Sequence, residues 1–270
     1  MSISDPARPG SQTRFGTIVV DFDGTLTREQ FLIEWVLFKL FRSKTTGVNK
    51  PVFLLRSLGS GISSLWLSRD PSRSERAVRL AYKALRDAKA DCLNALVADR
   101  PFWKQGFALN LNRRTLTILK HLVGHSQTAS AENPKVVIWS QGTPKTAIAS
   151  FLRREDVSDS LIRAGIQVDP TDSGSILANQ LIVDNGRFTG QLQPPVITKF
   201  NRLHLLPPDA VFVGDSKDEA AFFKLGQKPV RFINCQKIAD NHVEQAVHKF
   251  VHTIRPADAP GTASPTKCCR

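Results

Sequence analysis

Cysteine is scarce in this 270-residue chain, acidic residues are outnumbered, and no apolar stretch is clean enough to cross a membrane. The four cysteines (Cys92, Cys235, Cys268, Cys269) are scattered or terminal. They show neither zinc-ligand spacing nor a secreted disulfide framework, which points to a reducing compartment and a cytoplasmic location. Met1 to Arg14 is polar and rich in Ser, Pro and Arg, without the apolar core of a secretory signal. Residues 1–14 and the Pro-, Ala- and Ser-rich tail, 254–270, are expected to be disordered. The strongly apolar stretch Val52 to Leu67 is interrupted by Arg56 and weakened as a helix by Gly59 and Gly61. It falls short of the ~20 apolar residues of a span. A packed helix is the first reading, and an interfacial membrane helix is the alternative. Internal repeats are absent.

The composition that remains suits one large domain, or one domain with an insert. Hydrophobic residues make up 41%, enough for a globular core. The formal net charge is +13, and its placement is uneven. Between Trp35 and Lys120 there are 17 Lys and Arg against 5 Asp and Glu, so this segment holds nearly all the excess. Such a region attracts phosphorylated metabolites, acidic lipid headgroups or nucleic acid. A solvated, Arg-rich helical surface explains the same count.

Apolar, β-branched Thr17, Ile18, Val19 and Val20 read as a buried parallel strand. Phe31, Leu32, Trp35, Val36, Phe38 and Leu40 then recur at helical spacing. Ser72 to Val97 reads as one long amphipathic helix, with Ser72 and Glu75 as a capping box, and Leu109 to Val123 as a further helix. Val136 to Trp139 is a second buried strand, followed by a helix from Pro144 to Arg153. Ser175 to Gln191 reads as strands around a hairpin that turns at Asp184-Asn185-Gly186. Val211 to Val213 and Val230 to Ile233 complete the strands. Strands alternating with helices indicate a parallel α/β sheet. Residues 15–28 and 113–253 would form its core, and 29–112 a helical, basic insert over the strand ends.

The chemistry concentrates where the first strand stops. Asp21 and Asp23 are two positions apart, and on a strand such residues face the same way. Open α/β sheets bind ligands at this end. Two crowded anions invite a divalent cation, and Mg2+ takes oxygen ligands, often carboxylates plus substrate phosphate. One carboxylate could then attack phosphorus while the other moves protons. A strand followed by an Asp-Gly turn is the plain alternative. Main-chain N–H groups around Gln141 and Gly142 suit part of an anion nest.

Asp21-Phe22-Asp23-Gly24-Thr25-Leu26-Thr27 resembles the first motif of the haloacid dehalogenase-like (HAD) superfamily, particularly its phosphoserine-phosphatase-like branch. Three further stretches follow in the family's order: Val136-Val137-Ile138-Trp139-Ser140, Lys199 in Ile197-Thr198-Lys199-Phe200, and Val211-Phe212-Val213-Gly214-Asp215-Ser216-Lys217-Asp218-Glu219. Ala178-Asn179-Gln180-Leu181 and Gly186-Arg187-Phe188-Thr189-Gly190 are similar to the same branch. The resemblance implies a Rossmann-like parallel sheet with an inserted helical cap. It also implies Mg2+-dependent phosphomonoester hydrolysis through an aspartyl-phosphate. In those terms Asp21 is the nucleophile and Asp23 the general acid/base. Ser140, Gln141, Gly142 and Lys199 hold phosphoryl oxygens. Asp21, the Asp23 main-chain carbonyl and Asp215 hold Mg2+. One departure stands out: the usual second acid of the last motif lies four residues after the first and is Asp, whereas here that position is Glu219 and Asp218 comes one residue early. Register favours Glu219 and residue type favours Asp218.

A small phosphorylated metabolite is the expected substrate. A lipid phosphate at an anionic membrane surface is the alternative, motivated by Val52 to Leu67 within a basic cap. A catalytically weak anion- or nucleic-acid-binding protein is the reading from another class, although nucleic acid is not the expected partner. Oligomeric state is left open. His121 and His125 are spaced four apart, as helical metal ligands can be, but with no third ligand nearby they read as ordinary surface or packing residues. Cys92 reads as a small core residue, and Trp35, Trp66 and Trp103 as packing residues or the lining of a cap pocket.

Overall fold

The computed structural model describes residues 15–30, 59, 70–91, 109–129, 133–172, 174–198, 200–201, 206–207, 209–216, 218–219 and 231–253. The termini, the helix expected from Phe31, nearly all of Val52 to Leu67, Cys92 and Lys199 lie outside them. The described chain runs β1 (Thr17–Asp21), α1 (Ser74–Tyr82), α2 (Arg113–Ala129), β2 (Lys135–Ser140), α3 (Lys145–Leu152) and α4 (Glu155–Arg163). It continues through β3 (Ile176–Ala178), β4 (Leu181–Asp184), β5 (Arg187–Leu192), β6 (Val211–Gly214), β7 (Phe232–Asn234) and α5 (Val243–Thr253).

Five strands form one parallel sheet in the order β3-β2-β1-β6-β7. Strand order reverses direction at β1, so β1 and β6 flank the crevice where such sheets receive ligands. The central strands are buried on both faces, which is why they read as continuous apolar runs. Ile18, Val20, Val136, Ile138, Val211 and Val213 point to the larger core, against α2, α3 and α5. Val19, Val137, Trp139 and Phe212 form the opposite face. Burying each such side chain contributes about 1.5–3 kcal/mol before entropy is charged against it. Phe22, just past β1, packs edge-on against Phe151 of α3 at 5.3 Å. β4 and β5 form a separate antiparallel hairpin, turning at Asn185 (φ +46°) and Gly186 (φ +70°) as expected of an Asn-Gly pair.

The long helix expected over Ser72 to Val97 does not form. α1 ends at Tyr82, a single 3-10 turn covers Lys83–Leu85, and Asp87 takes a left-handed backbone at φ +65°. From there the chain pairs with the hairpin: Asp87 N–H donates to the Phe188 carbonyl at 2.8 Å and Ala90 N–H to that of Gly186 at 2.9 Å. Leu85 and Ala88 stay buried, so helix-like apolar spacing persists where the helix has stopped. Gly190 permits the approach, because a Cβ there would sit 2.8 Å from Arg86 Cβ. The Ser72–Glu75 capping box is also replaced. Ser72 donates from its N–H and Oγ to Asp70 at 2.9 and 2.7 Å, and Glu75 pairs with Arg79 at 2.7 Å. The helix expected from Leu109 begins at Arg113, because Leu111 bridges to Thr27 and the Asn112 side chain accepts from Arg114 N–H. Helices α4 and α5 carried no sequence expectation.

Candidate active site

Strands β1 and β6 each deliver a buried carboxylate at the same end of the sheet. Asp21 closes β1 at 1% exposure, and Asp215 follows β6 at 3%. Pairing of Val20 with Val213 sets the two ends level. A Cβ on Gly24 would stand 3.8 Å from Asp215 Oδ2, so the two loops meet. Cys235, just after β7, lies within reach of both charges. Burial pushes its thiol up, contacts with Thr115 and Thr25 oppose that, and Asp215 and Asp21 add to it.

Strand alternation is not what positions Asp23. β1 ends at Asp21, and Asp23 sits in the wound loop Phe22–Leu26, beside Gly24 at φ +76°. That left-handed backbone is open to glycine at little cost. Thr27 pins the loop, its N–H and Oγ1 both donating to the Phe22 carbonyl at 2.9 and 3.0 Å. Thr115 Oγ1 of α2 donates to the Thr25 carbonyl at 2.7 Å.

Asp23 then reaches across to the end of β2. Ser140 Oγ donates to Asp23 Oδ2 at 2.8 Å, and Thr143 Oγ1 lies 2.8 Å from both carboxylate oxygens. Thr143 N–H donates in turn to Ser140 Oγ at 2.7 Å. Ser140 was expected on a phosphoryl oxygen; here its proton goes to Asp23. A Cβ on Gly142 would stand 3.3 Å from Asp23 Oδ2, a tight approach that glycine relieves. Thr143 carried no expectation from the sequence, although a hydroxyl three residues past a strand-end serine was a signal.

The Gln141 carbonyl accepts from Asn179 Nδ2 at 3.1 Å and Tyr82 Oη at 3.4 Å. Asn179 also accepts from Ile197 N–H at 2.7 Å and donates to the Ile197 carbonyl at 2.9 Å, joining the loop after β2 to the segment before residue 199. Thr198 is buried, and its Oγ1 accepts from Asn201 N–H at 3.0 Å. Tyr82 is fully buried at the end of α1, and burial, then the charge of Asp23, pushes its phenol far above the usual tyrosine range. Its spacing marks it as an apolar helix position; being the chain's one tyrosine was the available signal.

After β6, Asp215 and Asp218 bond reciprocally. Asp215 N–H donates to Asp218 Oδ2 at 3.1 Å, and Asp218 N–H donates to Asp215 Oδ1 at 3.0 Å. A Cβ on Gly214 would stand 2.6 Å from Asp218 Oδ2, so only glycine fits. Glu219 instead accepts from Asn234 Nδ2 at 2.8 Å and pairs with Lys237 at 2.7 Å. These partners, Lys237 foremost, hold its carboxyl below the usual range. Of the two acids the sequence left open, Asp218 is therefore the one packed against Asp215.

His121 and His125 carry the expectation of ordinary surface or packing residues, and His125 packs against α5. α5 packs on α2 and places His248 5.8 Å from His125, ring to ring, with His252 Nε2 3.0 Å from His248 Nε2. Burial first, then His248, His252 and His121, lower the pKa of His125. Even so, no group of three or more His, Cys, Asp or Glu side chains is placed to hold a metal among the described residues. Nor is any helix among them long and apolar enough to cross a membrane.

No protein-family model matches the chain, and no curated protein matches it. Solved structures do. A phospho-aspartyl intermediate analogue of phosphoserine phosphatase is 16% identical, covering 79% of this chain and 84% of that one, with a TM-score of 0.44. Cytosolic 5'-nucleotidase IIIB bound to cytidine is 13% identical over 87% of this chain and 86% of that one, with a TM-score of 0.47. Phosphoserine phosphatase from T. onnurineus is 13% identical over 88% of this chain and 98% of that one, with a TM-score of 0.42. Likenesses this distant carry no weight for function, which is read from the chain's own geometry.

Proposed function

We propose that the protein is a Mg2+-dependent phosphomonoester hydrolase of the haloacid dehalogenase-like kind, working through an aspartyl-phosphate. The observation that carries this reading is the placement of Asp21, buried at the end of β1, two residues before Asp23, which the hydroxyls of Ser140 and Thr143 hold. Asp21 attacks phosphorus. Asp23 protonates the leaving oxygen, then takes a proton from the water that hydrolyses the aspartyl-phosphate. Ser140 and Thr143 orient Asp23, and an arriving phosphoryl oxygen competes for the Ser140 proton. Main-chain N–H groups around Gln141 and Gly142, together with Lys199, take the remaining phosphoryl oxygens.

Asp21, Asp215 and the Asp23 main-chain carbonyl offer the hard oxygen donors that Mg2+ prefers, and one or two carboxylates plus substrate phosphate and water is its usual complement. The ion would neutralise charge on the phosphoryl group. Asp218 braces Asp215 through the main chain. Residues 29–112 act as the lid, and Tyr82 brings its described part onto Gln141. A small phosphorylated metabolite is the substrate class, and the location is cytoplasmic. The exposed Arg76, Arg79, Lys83 and Arg86 along α1 and its following turn keep a lipid phosphate at an anionic surface as the second reading.

Hydrolysis of p-nitrophenyl phosphate, assayed with Mg2+, with EDTA and with Asp21→Asn, tests the proposal. Activity lost under both of the latter conditions is expected. Activity that survives Asp21→Asn would overturn it.

A further inference from the structure

A cavity of about 520 Å³ opens beside the place where the chain leaves the sheet domain after β1 and returns to it before α2. The two passes are tied there. Thr27 bridges Leu111, Arg28 N–H donates to the Asn110 carbonyl at 2.9 Å, and Asn112 N–H to that of Leu26 at 2.8 Å. Arg28 comes from the outgoing pass, Asn112, Arg113 and Arg114 from the return, and Asp240 from the segment ahead of α5; all five line the cavity. Neither Asp21, Asp23, Ser140 nor Asp215 does.

Among the described residues, three arginines and one carboxylate therefore line the cavity. Asp240 pairs with Arg114, which holds its carboxyl below the usual range. Among the described residues neither Arg28 nor Arg113 forms an ion pair. Like charges gathered at one concavity repel each other and raise the local concentration of anions. Guanidinium forks match phosphate and carboxylate in two-pronged fashion. The volume falls within the roughly 300–1,000 Å³ of small-molecule sites.

We propose that this cavity binds a small polyanion carrying phosphate or carboxylate groups, and that the bound anion ties the outgoing and returning passes together. The cavity's charge and shape stand whether or not the protein is a phosphatase. The anion is either a separate effector or a second charged group on the substrate, and the experiment separates the two.

Pyrophosphate binding to the full chain is measured by isothermal titration at fixed ionic strength. Arg28→Gln with Arg113→Gln should weaken binding about tenfold or more. The matching double Lys variant should fall between, which removes misfolding as the explanation. Equal affinity in the wild type and the double Gln variant overturns the proposal. Turnover of p-nitrophenyl phosphate is the second arm. A pyrophosphate effect on kcat present in the wild type and absent from the double Gln variant identifies an effector. A raised KM confined to substrates with a second phosphate identifies a substrate subsite. If no turnover is seen at all, the phosphatase reading fails and the titration still decides this one.

Discussion

The loops after β1 and β6 both close a central strand on a buried acid, yet they hold their second acid in opposite ways. Asp23 is gripped by side chains, the hydroxyls of Ser140 and Thr143. Asp218 is gripped by main chain, through the Asp215 N–H, with Gly214 shaved to admit it. A hydroxyl can rotate and release its partner; a main-chain amide cannot. In the proposed cycle the first loop suits a carboxylate that changes its proton and partners. The second is built to keep Asp215 where it is.

Substitutions can break this contrast. Asp23→Asn should lower kcat for p-nitrophenyl phosphate by about 10²–10⁴-fold, the range for losing a general acid/base. Its midpoint in urea should barely move. Asp218→Ala should strike the fold first, destabilising it by about 1–3 kcal/mol because the buried Asp215 N–H loses its acceptor. Denaturant melts read that loss directly, and Asp218→Asn, which keeps an acceptor oxygen, should recover part of it. Thr143→Val should cost about 1 kcal/mol of transition-state stabilisation, roughly fivefold in kcat, with Thr143→Ser restoring it. The smallest effect belongs to Glu219→Gln. Its pair with Lys237 is solvent-facing, so about 0.5 kcal/mol is expected near neutral pH. The sign with pH is fixed: Glu219 is held below its unfolded value, so its contribution is present above that value and lost as pH falls through the folded one. Melts of this variant and the wild type should converge in acid.

Much of the framework behind this contrast was visible in the amino acids. The apolar runs ending at Asp21, Ser140 and Gly214 marked three strand ends, because strands buried on both faces leave continuous β-branched runs. Asn185-Gly186 marked the hairpin turn, because few other pairs tolerate two left-handed residues. Three features were not legible. Helical spacing of Leu85 and Ala88 survived beyond the end of α1, because burial against the hairpin selects apolar residues whatever the backbone does. Where the Glu219 side chain goes turned on Asn234 and Lys237, which lie 15 and 18 positions beyond it. Tyr82 looked like any apolar helix residue until its hydroxyl met the Gln141 carbonyl, 59 positions away. Local pattern records burial well; it does not record which distant group a side chain meets.

Acid-quenched turnover of p-nitrophenyl phosphate, followed by mass spectrometry of the peptides, tests the central claim most directly. A phosphoryl mass on the peptide that carries Asp21, absent from Asp21→Asn, is the expected result. Turnover with no such label, or a label that persists in Asp21→Asn, would contradict it.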